Sequence, residues 1–157
     1  MKLNKVLILI FLYIVSTNSL YSIEPDVFVQ STVNRASKLL SDSTSKDKKV
    51  EELKKIAKET VDIRGIGFYT LGATRKKLND SEKKEYSKLF EKYFLKSFSS
   101  RLAEYTNPEI DVYNKEKIND NYTIVKSLLK ATSKRPEVKI DWRIYTKDKE
   151  NPLIRDL

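Results

Sequence analysis

The chain has 157 residues, enough for one domain, and a formal net charge of +9 at pH 7. It contains no cysteine and no histidine, which excludes disulfides, thiolate chemistry, zinc sites built on these residues and mechanisms that need a histidine base. Lysine outnumbers arginine by 24 to 7. Because arginine is the usual bidentate ligand of phosphates and bases, this surplus favours a role in solubility over nucleic-acid recognition.

Residues 1–22 are predicted to be an export signal. Lys2 and Lys5 precede an apolar stretch at 6–15, which is shorter than the roughly 20 residues that a helix needs to span a bilayer. An uncleaved signal anchor is the alternative. We therefore expect a single mature domain at 23–157 in the bacterial periplasm. Export, together with aromatic residues placed on apolar faces, argues against a nucleic-acid partner.

Four helices are predicted in the first two thirds of the chain. Apolar residues spaced three and four apart indicate helices at 24–40, 48–60 and 61–72, and a long one at 79–105. The long helix opens with Asn79 as N-cap and Glu82 three residues later, which is the pattern of a capping box. Its predicted apolar face is mainly aromatic, so we expect a large apolar cover over that face.

All three glycines of the chain, Gly65, Gly67 and Gly72, fall in the third predicted helix. No strand precedes them and their spacing does not fit, so a phosphate-binding loop is rejected. Gly72 is typical of a helix C-cap. Gly65 and Gly67 are predicted to permit close packing or a distortion of the helix.

A lysine occupies every fourth position in the middle of the long helix, at Lys84, Lys88, Lys92 and Lys96. Like charges at this spacing destabilise a helix by about 0.2–0.5 kcal/mol per pair. Two interpretations are open. The row is either a docking stripe for an acidic partner or anionic headgroups, or a solvated face.

Beyond the long helix the apolar period changes from that of a helix to that of a strand. Strands are predicted at 110–117, 122–132, 138–145 and 153–157, separated by turns rich in Asn, Asp and Pro. Helices followed by an antiparallel meander indicate an α+β fold, with the N-terminal helices packed on one face of a twisted antiparallel sheet. Because the last predicted strand runs to the end of the chain, we expect a truncated C-terminus.

Several short segments resemble those of the MlaC, or toluene-tolerance, family in their order and spacing. They are Val61-Asp62-Ile63-Arg64 with Leu71-Gly72, then Glu82, Tyr86, Leu89 and Phe90, then Arg101-Leu102-Ala103-Glu104-Tyr105, then Ile140-Asp141-Trp142-Arg143-Ile144, and finally Asp156. That family is the periplasmic lipid-carrying component of an ABC transport system that maintains the lipid asymmetry of the outer membrane. The resemblance covers most of 24–157.

The resemblance implies a cone-shaped fold with a lipid-holding cavity between a helical layer and a twisted sheet. It implies glycerophospholipid as cargo, with no cofactor, no metal and no catalytic residue. It also implies two protein partners, an inner-membrane ABC lipid transporter complex and an outer-membrane lipoprotein complex.

A carrier must shield an acyl chain from water, because each exposed CH₂ costs about 0.8 kcal/mol and a chain of about sixteen carbons on the order of 12 kcal/mol. Apolar residues of the long helix and of the third strand could form such a chamber or simply fill a core. With the resemblance, the predicted lipid-binding residues are Phe68, Leu71, Phe90, Phe94, Phe98, Ile124, Leu128, Trp142 and Ile144. The headgroup is expected near the mouth, where a lysine could meet its phosphate.

Two other classes of protein remain open from the sequence. An exported enzyme would need paired polar groups in the cavity, and the candidates are Asp62, Tyr69, Asp141 and Tyr145. A surface adhesion or scaffolding protein would have a solid core and would bind no lipid.

Overall fold

The computed structural model describes residues 22–133 and 135–157. Residues 1–21 of the predicted export signal therefore lie outside the described residues. The helices are α1 (Pro25–Ser41), α2 (Lys46–Thr60), α3 (Ile63–Thr70) and α4 (Asp80–Leu102), with a 3₁₀ turn at Gly72–Lys76. The strands are β1 (Ile110–Asn119), β2 (Tyr122–Leu129), β3 (Val138–Tyr145) and β4 (Leu153–Asp156).

Side-chain caps define where the helices begin. Asn79 Oδ1 accepts a hydrogen bond from the backbone N–H of Glu82 at 3.0 Å, and Glu82 Oε2 accepts one from the N–H of Asn79 at 2.8 Å. This is the predicted capping box of α4. Asp62 caps α3 by accepting from the N–H of Gly65 at 2.8 Å. Gly72 follows α3 with φ of +52°, a backbone conformation that favours glycine after a helix.

The four strands form one antiparallel sheet in the order β1-β2-β3-β4. The free edge of β4 is covered by the chain between α2 and α3, where Val61 bridges to Ile154 and the N–H of Asp62 donates to the Ile154 carbonyl at 2.9 Å. The helices lie on one face of this sheet, since Val29 and Val33 of α1 join inward residues of the strands in a single core. The predicted α+β fold is confirmed.

The apolar face of α4 is narrower than the sequence indicates. Phe90, Phe94 and Phe98 stack in a row and pack against the core. Leu89 and Tyr93, which belong to the predicted face, are instead 59% and 69% exposed. The prediction that the whole apolar face of α4 is covered is therefore wrong. The eight apolar residues of this face span more of the helix circumference than one packed layer can cover.

Close packing between α3 and α4 accounts for one of the interior glycines. A Cβ atom built on Gly67 would lie 2.8 Å from a ring carbon of Phe90, closer than carbon atoms can approach without a shift. Gly67 therefore lets the two helices approach each other, as predicted.

The four lysines of the α4 row, Lys84, Lys88, Lys92 and Lys96, are all exposed. None of them forms an ion pair with a described residue. Their placement fits both a solvated face and a docking stripe. In the part of the chain that the structure describes, no helix has both the length and the hydropathy to cross a bilayer.

Candidate functional site

Small side chains of α1 and α2 help to line a partly open cavity beside the sheet. They are Ala36 and Ser37 of α1 and Ala57 and Thr60 of α2, and the cavity has a volume of about 180 Å³. The rest of the wall comes from larger apolar residues of all layers: Val33, Leu40, Leu53, Ile56, Val61, Phe98, Leu102, Pro108, Ile110, Leu129, Ile140, Trp142, Ile154 and Leu157, with Thr32 and Tyr105. Among residues 22–133 and 135–157, no acidic or basic side chain lines this cavity.

The two threonine hydroxyls in the wall are satisfied within the protein. The hydroxyl of Thr32 donates to the Phe28 carbonyl at 2.8 Å, and that of Thr60 donates to the Ile56 carbonyl at 2.7 Å. Both hydroxyl hydrogens are therefore used inside the helices that carry them. Because a buried polar group with a partner offers little to a ligand, the cavity favours hydrocarbon.

The indole of Trp142 is the largest group in the wall, and its polar atom is also paired. Trp142 Nε1 donates to Ser127 Oγ at 2.7 Å, and both residues are buried. The bond joins neighbouring strands on the inner face of the sheet. It fixes the ring while leaving its apolar surface to the cavity.

The size of the cavity limits what it holds in this conformation. An engineered apolar cavity of about 150 Å³ stays dry and accepts benzene, a six-carbon molecule. At about 180 Å³, this cavity accepts a short stretch of hydrocarbon and less than one whole acyl chain.

The loop that follows α4 forms one side of the cavity through Tyr105 and Pro108. Asn107 has φ of 51°, a left-handed conformation that Asn adopts more readily than most residues. Its Oδ1 accepts a hydrogen bond from the hydroxyl of Ser41 at the end of α1. The loop is thus tied to the helical layer beside the cavity.

Two of the nine predicted lipid-binding residues, Phe98 and Trp142, lie in the cavity wall. The structure places the other seven elsewhere. Phe90 and Phe94 continue the ring stack away from Phe98, with centroid distances of 6.2 and 5.3 Å along the row. Ile144 is fully buried in the core.

Phe68 and Leu71 lie on α3 and at its end, half-buried and outside the wall, with the guanidinium of Arg64 5.3 Å from the Phe68 ring centroid. Ile124 and Leu128 point to the outer face of the sheet, because Thr123, Val125 and Ser127 of the same strand are buried on the inner face. The structure corrects the placement of these two residues. That any of the nine contacts a lipid stays a prediction.

Sequence reasoning missed the contribution of α1 and α2 to the wall. Val33, Leu40, Leu53 and Ile56 lie on apolar faces that the helical period reveals, but none of them is among the predicted lipid-binding residues. The sequence signal for the cavity is the presence of small residues, such as Ala57, on the apolar faces of both α1 and α2. Small side chains opposite one another leave space that larger neighbours must close.

The four residues proposed for an enzyme do not form one group, although Asp62 and Tyr145 both contact Arg155. Asp62 binds Arg155, whose Nε donates to it at 2.8 Å, while Tyr69 is 82% exposed. Asp141 is exposed on the outer face of the sheet. The ring centroid of Tyr145 lies 4.1 Å from the guanidinium carbon of Arg155. None of the four lines the cavity.

The Arg155 guanidinium is the centre of a polar cluster beside β4. Burial alone would lower its pKa, but hydrogen bonds to Asp62 and to the Tyr122 hydroxyl outweigh that effect and raise the pKa above its usual value. Arg155 is therefore a permanent cation held by structural partners. Within residues 22–133 and 135–157, no group of acidic side chains is arranged to hold a metal ion.

Comparison with known proteins gives the family. The sequence profile described as "MlaC protein" matches residues 30–157. The chain belongs to the MlaC family. The match includes all four strands and every residue of the cavity wall.

A solved structure shares the MlaC-like fold of this chain. It is described as the phospholipid-binding protein from Ralstonia solanacearum in complex with a phospholipid, and it superimposes with a TM-score of 0.69 at 11% sequence identity. The match covers 85% of this chain and 76% of the other. A search of curated proteins finds no match.

Proposed function

We propose that this MlaC-family chain binds a phospholipid by enclosing part of its hydrocarbon in the cavity between the helices and the sheet. The observation that supports this most directly is the wall itself, in which the described residues contribute apolar side chains from every layer and no charged group. A solid core would leave no such space. The phospholipid bound to the Ralstonia protein, which has the same fold, supports the choice of ligand.

The energetics of transfer agree with a carrier that holds only part of its cargo in this conformation. A space of about 180 Å³ accepts roughly six carbons, whose burial stabilises the complex by on the order of 5 kcal/mol at about 0.8 kcal/mol per CH₂. A glycerophospholipid carries two longer chains. The loaded protein is therefore expected to hold its helices and sheet further apart.

We further propose that the protein works in the periplasm as a shuttle. It would exchange lipid with an inner-membrane ABC transporter complex and an outer-membrane lipoprotein complex, and so maintain the lipid asymmetry of the outer membrane. Family membership and the predicted export signal support this role.

Binding is favoured over catalysis because the described residues of the cavity wall include no carboxylate, lysine or histidine that could activate the hydroxyl groups of Ser37 and Tyr105. Thr32 and Thr60 donate their hydroxyl hydrogens to helix carbonyls. The phospholipid itself is the cargo, and no cofactor is proposed.

The test is mass spectrometry of lipid extracts from the full chain, expressed with its export signal and purified from the periplasm. We expect phospholipid at a substantial molar fraction. The variant Ala36→Leu, which adds bulk to the wall without changing helix propensity much, should lower lipid occupancy severalfold. Ala73→Leu places the same change at an exposed position outside the wall and should leave occupancy unchanged. Extracts free of phospholipid from the folded wild-type protein would overturn the proposal.

A further inference from the structure

A polar depression of about 410 Å³ lies on the surface next to the apolar cavity. The two spaces share three wall residues, Tyr105, Pro108 and Leu129. On one side of these residues the wall is apolar, and on the other it carries cations and hydroxyl groups. A molecule with a hydrocarbon end and a polar end could therefore occupy both spaces at once.

Arg135 is the cation best placed in this depression. Its guanidinium carbon lies 3.9 Å from the centroid of the Tyr105 ring, a cation–π contact that uses none of its five N–H donors. Backbone hydrogen bonds in both directions join Thr132 and Arg135, at 2.9 and 3.3 Å, and fix the backbone of Arg135 beside that of Thr132. The guanidinium is thus positioned at the shared wall by both its backbone and its side chain.

The other charges of the depression leave Arg135 available. Lys130 Nζ is already paired with Glu109 at 3.2 Å and with Asp111 at 3.0 Å. Glu104 also lines the depression, but among the described residues neither it nor any other carboxylate forms an ion pair with Arg135. An uncompensated guanidinium with free N–H donors is a ligand for phosphate, which it binds through two parallel hydrogen bonds.

We propose that the depression receives the phosphate of the lipid whose hydrocarbon enters the cavity, and that Arg135 binds this phosphate. The inference rests on the proposed function. It names an arginine where the sequence led us to expect a lysine. The hydroxyl groups of Thr106 and Ser133 in the same wall supply further hydrogen-bond donors to the phosphate or to its glycerol.

The experiment compares two ligands that differ only by a phosphate. Delipidated protein is titrated with monooleoylglycerol phosphate and with monooleoylglycerol, each below its micelle concentration. We expect Arg135→Gln to weaken binding of the phosphate-bearing lipid about tenfold or more, as for the loss of a charged hydrogen bond, and to leave monooleoylglycerol unchanged. Arg75→Gln removes the same charge from an exposed position outside both spaces and should change neither.

The possible failures are distinguishable. If the wild-type protein binds neither lipid, the proposed function fails and this inference fails with it. If it binds both and Arg135→Gln behaves like Arg75→Gln, the phosphate site is wrong while the carrier function stands. A third titration uses glycerol 3-phosphate alone. Binding of this small anion as tight as that of the phosphate-bearing lipid would identify a site for free phosphate and would overturn the link to the cavity.

Discussion

Ser127 supplies the hydrogen-bond acceptor that allows an indole to lie in an apolar wall. The Nε1–H of Trp142 has this one partner, at 2.7 Å in a buried setting. Ser127→Ala removes the acceptor and leaves a buried donor unpaired. We expect the free energy of unfolding, measured by urea denaturation, to fall by about 1–3 kcal/mol.

A double-mutant cycle separates this bond from simple loss of packing. Trp142→Phe removes the donor, so Ser127→Ala should cost clearly less in the Trp142→Phe background than in the wild type. Equal costs in the two backgrounds would show that the hydrogen bond contributes nothing and that Ser127 matters only for its volume.

Asp62 joins two elements, since it caps α3 through the N–H of Gly65 and binds Arg155 of β4. Asp62→Asn keeps a capping side chain but removes the charge, whereas Asp62→Ala removes both. We expect Asp62→Ala to lose about 1 kcal/mol more than Asp62→Asn, the usual contribution of an N-cap. The measurement is again the free energy of unfolding in urea.

Asp156→Ala is the control for the Asp62 variants, because it removes an exposed carboxylate from β4. Asp156 lies 3.8 Å from Arg143 in an exposed ion pair, which contributes little because water screens it. Its loss should cost less than about 1 kcal/mol. If Asp156→Ala destabilises the protein as much as Asp62→Ala, the partly buried Asp62–Arg155 contact has no special role.

A second contact between elements, the ion pair of Lys115 with Asp26, is expected to weaken in acid. Lys115 of β1 donates to Asp26 of α1 at 2.7 Å, and this hydrogen bond holds the pKa of Asp26 below its ordinary value of 3.8. A lowered carboxyl pKa contributes stability that is present above that ordinary value and is lost as the pH falls through the lowered pKa. Both groups are partly exposed, so the contribution is at most about 1 kcal/mol.

The prediction is that Lys115→Met destabilises the protein at about pH 6 and that its difference from the wild type shrinks toward about pH 2.5, as protonation of Asp26 removes the charge that Lys115 contacts. Urea midpoints at the two pH values measure it. A difference that stays constant between them would mean that Lys115 stabilises through its alkyl chain rather than through Asp26.

The elements themselves were largely predictable, because each carries a local signal. The capping box at Asn79 marks the start of α4, and strict alternation marks the whole of β3. The predicted ends of helices and strands are less accurate where the sequence carries no such signal. Strand β2 stops at Leu129, three residues before its predicted end, and the backbone of Thr132 pairs instead with that of Arg135.

The location of the cavity could not be read from the same signals. Both faces of β2 carry apolar residues, and the inner one includes the polar Thr123 and Ser127. The residue that distinguishes the two faces is Lys126, because a lysine in a strand marks the side open to water. Ile124 and Leu128 share that outer face with it. Which helices stand across from the sheet depends on tertiary packing, and local periodicity does not contain it.

At the scale of the whole molecule, binding of the proposed lipid ligand is linked to the stability of the folded protein. A ligand that binds only the folded state stabilises it by about 2.7 kcal/mol at a free concentration of 100 times its Kd. Delipidated wild-type protein should therefore gain thermal stability on addition of monooleoylglycerol phosphate, measured by calorimetry. Ala36→Leu should gain less, and an equal gain in both would mean that the lipid binds outside the cavity.

The chain contains one tryptophan, and it is the residue whose indole lies in the cavity wall. The tryptophan emission of the protein therefore comes from a single place, where an entering hydrocarbon chain would change the surroundings of the ring. The proposed binding of lipid is therefore measurable in real time on the unlabelled protein, and stopped-flow mixing with vesicles would give the rate at which lipid passes from a bilayer to the protein.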